Sequence, residues 1–136
     1  MTEPDYLSII KERGSGALDK KMGIQIKEAS LTRLVGTMPV EGNTQPLGVL
    51  HGGAHVVLGE TLGSFAANVW AHPHSVAVGI EINASHSRST NSGIVTAVCT
   101  ALSLGKSLTT HEIVVSDEQG RRLSTVRITN FIKAKQ

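Results

Sequence analysis

Residues 45–64, QPLGVLHGGAHVVLGETLGS, are the stretch whose reading decides how this chain folds. The stretch begins as a turn, passes through His51-Gly52-Gly53, and becomes helical. From Ala54, the residues Leu58, Thr61, Leu62, Phe65 and Val69 recur at offsets of four, seven, eight, eleven and fifteen, the stripe of an amphipathic helix. The pattern predicts a helix from about Gly53 to about Ala71, stopped by Pro73. Glu60 falls off the stripe, and Ser64 lies one turn beyond it on the same face. Gly52-Gly53 allows backbone to approach another group closely. A helix that opens on free N–H groups and carries a carboxylate has the parts for carbonyl chemistry.

Outward from this helix the period changes. On the N-terminal side, residues 4–13 read as a short helix with Pro4 at its first position. Residues 22–30 alternate Met22, Ile24 and Ile26 against Gln25 and Lys27, the pattern of a half-buried strand. Residues 31–40 carry Leu34, Gly36, Met38 and Val40 on one face, and the two runs read as a hairpin. Residues 41–48 form a loop by their Gly, Asn and Pro content. On the C-terminal side, 75–87, 93–105, 107–119 and 121–134 are rich in Val, Ile and Thr and are separated by turn-forming residues. Consecutive strands joined by short turns favour an antiparallel sheet. The expected fold is therefore α+β, one domain over 1–136 in which six antiparallel strands curl around one long helix.

The totals narrow the function classes. The chain of 136 residues is 40% hydrophobic and 18% charged, ordinary globular values that leave room for one core. A net charge of +2 and 3% aromatic residues give no electrostatic footprint or stacking platform for nucleic acid. The single Cys99 excludes an internal disulfide and a cysteine-rich zinc site, and fits a reducing compartment. No apolar run approaches the roughly 20 residues of a membrane span, and the acidic start lacks a signal pattern, so a cytoplasmic location without membrane partners is expected. His51 and His55 have the four-residue spacing of a zincin pair, but Gly52 stands where that motif needs glutamate. His72 and His74 lack a third ligand, so no metal is expected. Gly105-Lys106-Ser107 resembles the end of a phosphate-binding loop, yet the upstream glycine is replaced by Thr100.

The LHGGA segment (50–54), the carboxylate eight residues beyond Gly52, and EINASH (81–86) together resemble the hotdog-fold acyl-CoA thioesterases. The closest branch contains the hydroxybenzoyl-CoA and dihydroxynaphthoyl-CoA thioesterases, the PaaI-like enzymes and the proofreading thioesterases of siderophore synthesis. The resemblance implies hydrolysis of an acyl-CoA to the acid and free coenzyme A, with no cofactor. It gives Glu60 the role of nucleophile or general base, and the residues leave that choice open. The Gly52 backbone N–H would be the oxyanion donor, where spacing alone equally allows a tight start to the helix. Gln45 and His51 match positions near the thioester carbonyl, although His51 also suits a simple cap. Ser64 would hold the water or the carboxylate. His86 and Arg88, with Lys106 and Ser107, match the pocket and coenzyme A contacts, each with an ordinary structural alternative. The branch favours an aromatic acyl group; aliphatic acyl-CoA and acyl carrier protein substrates stay open. A hotdog protein that binds acyl-CoA without turnover is the competing reading.

Eight residues of helix put Gly52 and Glu60 about 12 Å apart. An oxyanion donor and a nucleophile must both lie within about 3 Å of one carbonyl group. One chain therefore supplies both with difficulty. Either a partner subunit contributes half of the site or one assignment is wrong. The resemblance implies a homo-oligomer with sites shared across a dimer interface, and further pairing of dimers into a tetramer.

Overall fold

In the computed structural model, which describes residues 3–135, the chain runs α1 (Tyr6–Arg13), α2 (Ala17–Met22), β1 (Gln25–Ala29), β2 (Arg33–Pro39), α3 (Gly52–Ala71), β3 (Ser75–His86), β4 (Ile94–Leu104), β5 (Leu108–Ser116) and β6 (Arg122–Ala134). The long helix and the four following strands fall where the change of period puts them. The strand expected over 22–30 does not begin until Gln25, because α2 takes up the residues before it. Asp19 initiates that helix by accepting the Gly16 N–H at 3.3 Å, and Gly23, at φ 76°, closes it in the left-handed conformation glycine tolerates. None of its six residues is buried, so no apolar stripe marks it in the sequence.

All strand pairs are antiparallel, in the order β1-β2-β4-β5-β6-β3. α3 packs against β2, β3, β4, β5 and β6, so the sheet curls around it in the hotdog arrangement the resemblance implies. Leu58 and Leu62 of the stripe are fully buried, with Ala54 and Val69 nearly so. Thr61 and Phe65 are half-buried at its margin. The buried face is wider than the stripe because Gly59 and Gly63 also lie inside it. A Cβ at Gly59 would stand 2.6 Å from Val126 Cγ1, and one at Gly63 would collide with Ile128. These two glycines let the helix settle onto β6 closer than any side chain allows.

The outer strands of the sheet are β1 and β3. β3 runs for twelve residues and includes the exposed apolar residues Val78 and Ile80, 42% and 59% exposed. A long edge with exposed apolar side chains is a template for another strand. Among the described residues, no helix is long and apolar enough to cross a membrane.

Candidate active site

Glu60 sits midway along α3, half-buried, with its carboxylate over β3. Its Oε1 lies where a side chain on Gly79 would be, 2.7 Å from an ideal Cβ. Ser64 Oγ, one turn on, donates to the same oxygen at 3.4 Å, a long bond of the kind that tightens when a ligand binds. The carboxylate faces a cavity of about 490 Å³ lined by Arg13, Asp19, Thr61, Ser64, Phe65 and Val78, among others. Arg13 and Asp19 come from the two N-terminal helices. Thr61 Oγ1 donates to Asp19 Oδ1 at 2.7 Å, tying α2 to α3 beside Glu60. Sequence reading missed both charged residues. The only available signal was Asp19 three residues after Gly16, a helix-start spacing in a run without periodicity.

The start of α3 is capped from one side only. His51 Nδ1 accepts the Gly53 N–H at 2.8 Å, and the His51 carbonyl accepts those of Ala54 and His55. The Gly52 N–H takes part in none of these bonds and remains as the exposed positive end of the helix dipole. It borders a cavity of about 370 Å³ lined by Leu50, Gly52, His55, His86, Arg88 and Ser89. The His86 ring lies against Gly52, its Nε2 3.1 Å from where a Cβ would be. Behind it, His55 is buried with Nδ1 3.1 Å from Ser124 Oγ, and its ring centroid is 5.1 Å from that of His86. Burial, aided by the neighbouring His86, pushes the His55 pKa down to about 4, so a neutral imidazole backs this cavity. The zincin-like spacing of His51 and His55 thus joins a cap to a core residue.

The structure brings Gly52, His86 and Arg88 together, and separately brings Glu60 and Ser64 together. Gln45 lies in the loop before α3, where its Oε1 accepts the Leu47 N–H and its backbone closes a turn with Gly48, at φ 84°. This fixes the loop but points the carboxamide oxygen at its own backbone. Lys106 and Ser107 fall in the β4–β5 turn, where Trp70 Nε1 donates to Gly105 O at 2.9 Å. That turn is at the far end of α3 from Gly52, about 27 Å along the helix. Within one chain Lys106 and Ser107 join neither cavity.

Gly79 and His86 mark the two groups on one strand. They are seven residues apart, a separation that in a regular strand puts residues on opposite faces. The register shift between Gly79 and Glu81 restores the phase, so both face α3. Accordingly Gly79 is paired with the buried Asn130, and His86 with the buried Ser124.

Residues 47–124 match the family model described as the thioesterase superfamily. The proofreading thioesterase EntH of Cronobacter turicensis is 41% identical over 127 residues, 93% of either chain. The 1,4-dihydroxy-2-naphthoyl-CoA hydrolase of Escherichia coli is 39% identical over 93% of both. A thioesterase of Pseudomonas aeruginosa, solved as a Gln→Ala mutant, superposes with a TM-score of 0.89 at 33% identity, over 98% of this chain and 97% of that one. A Staphylococcus aureus thioesterase gives 0.82 at 32% identity, over 87% of this chain and 99% of its own. It was solved as a Glu→Ala and as a Gln→Ala mutant.

Proposed function

The chain belongs to the thioesterase superfamily and is a thioester hydrolase of the hotdog fold, and from that premise we propose that it hydrolyses aromatic acyl-CoA thioesters at sites shared between two copies. The observation that carries this reading is that both half-sites rest on the edge strand β3, Glu60 against Gly79 near its middle and Gly52 against His86 at its end. If two β3 edges pair antiparallel about a two-fold axis at Asn83, with the extra residue of the register shift between Gly79 and Glu81 left unpaired, Gly79 of one chain stands opposite His86 of its partner. Residues directly opposite in an antiparallel pair share a face. Glu60, which rests on Gly79, then faces the Gly52 N–H of the partner, against which His86 rests. The 12 Å separation within one chain ceases to matter. The axis generates two equivalent sites, and the exposed Val78 and Ile80 are covered in the same contact.

In such a site the thioester oxygen lies at the Gly52 N–H, where the helix dipole stabilises the charge that develops on it. Glu60 of the other chain either attacks the carbonyl carbon to give a mixed anhydride, later cleaved by water, or removes a proton from the attacking water. Both routes break the carbon–sulfur bond and release coenzyme A as a thiolate that takes up a proton. Ser64 orients the carboxylate, and Gln45 stiffens the loop that leads to the donor. In the Staphylococcus relative the substituted glutamate lies fifteen residues beyond the substituted glutamine, as Glu60 lies fifteen beyond Gln45, which supports the assignment of both.

The acyl group would occupy the cavity beside Glu60. Its volume of about 490 Å³ and the ring of Phe65 suit a one- or two-ring acyl group, and the naphthoyl substrate in the name of the Escherichia coli relative points the same way. A steady-state screen of thiol release should give higher kcat/KM for hydroxybenzoyl-, dihydroxynaphthoyl- or phenylacetyl-CoA than for acetyl- to decanoyl-CoA. Preference for aliphatic chains would overturn the aromatic assignment. Binding without thiol release from any member would overturn the proposed acyl-CoA substrate.

A further inference from the structure

Beneath the C-terminal half of α3 lies a polar cluster that the hydrolytic site does not use. Thr109 and His111 on β5 and Asn130 on β6 are fully buried. Thr109 and Asn130 are directly opposite in the β5–β6 register, and His111 is two residues along on the same face, so the three side chains are neighbours. None of their five polar side-chain atoms (Thr109 Oγ1, both His111 ring nitrogens, and the Asn130 amide nitrogen and oxygen) has a protein partner. The same inner face otherwise continues as Ile113 and Val115 on β5 and as Val126 and Ile128 on β6. Burial of five unpaired polar atoms would cost about as much as a domain of this size gains by folding. They must have partners, and the chain does not supply them.

We propose that Thr109, His111 and Asn130 form an internal water site holding at least two ordered waters. The ligand class follows from the lining. Among the described residues the cluster contains no carboxylate to attract a cation. Burial pushes the His111 pKa down to about 4, so its ring is neutral at physiological pH and gives no charge for an anion. A neutral imidazole has one donor and one acceptor nitrogen, the carboxamide has two donors and an acceptor, and the hydroxyl has one donor and two acceptor positions. Water matches every one of these. Buried waters make about three hydrogen bonds each, and the two ring nitrogens of His111 point away from one another, so one water cannot serve the cluster. Gly59 and Gly63 hold α3 against Val126 and Ile128, and the next position of that series on the helix, Ala67, is again small and buried.

The location adds interest. Asn130 is the β6 partner of Gly79, on which the Glu60 carboxylate rests, so the water site lies one strand, roughly 4.8 Å, inward of that contact.

A crystal structure of the unmodified chain at about 1.3 Å is the direct test. The expected result is two or more well-ordered waters within hydrogen-bonding distance of the His111 ring nitrogens, the Asn130 amide or Thr109 Oγ1. Direct bonds among these side chains with no water in the map would overturn the inference. Oxygen-17 relaxation dispersion in solution, comparing the unmodified chain with Thr109→Val/Asn130→Leu, should register the loss of at least one long-lived water. An unchanged count in a folded variant would also overturn it, and a variant that does not fold leaves the decision to the crystal structure.

Discussion

Glu60 and Gly79 are in contact across α3 and β3: the carboxylate oxygen Oε1 occupies the space in which any β-carbon at position 79 would stand, 2.7 Å away. The strand has therefore given up a side chain at the point where the helix presents its only carboxylate. Gly79→Ala should displace that carboxylate without disturbing the core. A misplacement of about 1 Å at a reacting group costs on the order of 100-fold in rate. We expect kcat to fall by roughly that factor with KM little changed, measured by steady-state thiol release. Retention of full kcat would show that the contact is incidental.

Removal of the carboxylate itself should be more severe. Glu60→Ala is expected to lower kcat by about 10²–10⁴-fold while circular dichroism and oligomer size stay the same. Near-normal turnover in the folded variant would remove Glu60 from the mechanism.

The shared site makes a quantitative prediction. Gly52→Pro abolishes the proposed donor but suits the first position of a helix, and His51 already has the extended conformation (φ −63°, ψ 134°) that a residue before proline adopts. Inactive Glu60→Ala and Gly52→Pro chains, mixed in equal amounts and allowed to exchange, give half heterodimers with one intact site each. Recovery should approach about a quarter of the unmodified activity. No recovery after verified exchange would count against sites formed between chains.

Acid should weaken the fold through two buried histidines. Burial disfavours the imidazolium and pushes the pKa of His55 and of His111 down to about 4, from an ordinary 6.5. The unfolded chain therefore binds more protons between these values, and stability falls as pH drops from 6.5 towards 4. Each group contributes up to about 3 kcal/mol over that window. Urea denaturation at pH 7.5 and 5 should give a clearly smaller unfolding free energy at pH 5. His111→Leu should flatten the profile; an unchanged slope would indicate that His111 is not buried neutral.

Gly63→Ala and Gly59→Ala test the close approach of α3 to β6. An alanine would gain about 1 kcal/mol of helix propensity at an exposed position. Here it meets Val126 or Ile128, and overpacking costs about 1–3 kcal/mol. Both variants should melt below the unmodified chain, Gly63→Ala more so because its clash is the tighter. A rise in melting temperature would mean that the sheet can retreat at little cost.

The sequence by itself determined the long helix, its carboxylate and the strands after it, because hydrophobic period is a local property that survives in any globular context. Leu58, Leu62, Val126 and Ile128 declare which way they face through spacing alone. It also carried the Gly52-to-Glu60 distance, since helical rise is fixed, and with it the reason to look beyond one chain. It could not reveal α2, whose six residues bury nothing and so carry no period, nor the presence of Arg13 and Asp19 beside Glu60. Those follow from how the N-terminal helices pack on α3. Nor could it reveal that Gly79 and His86 share a face, which depends on a register shift in β3. The grouping of Thr109, His111 and Asn130 was likewise decided by strand pairing, which sets Thr109 opposite Asn130, 21 positions on. Local periodicity specifies which residues turn inward; only the paired sheet specifies which of them meet.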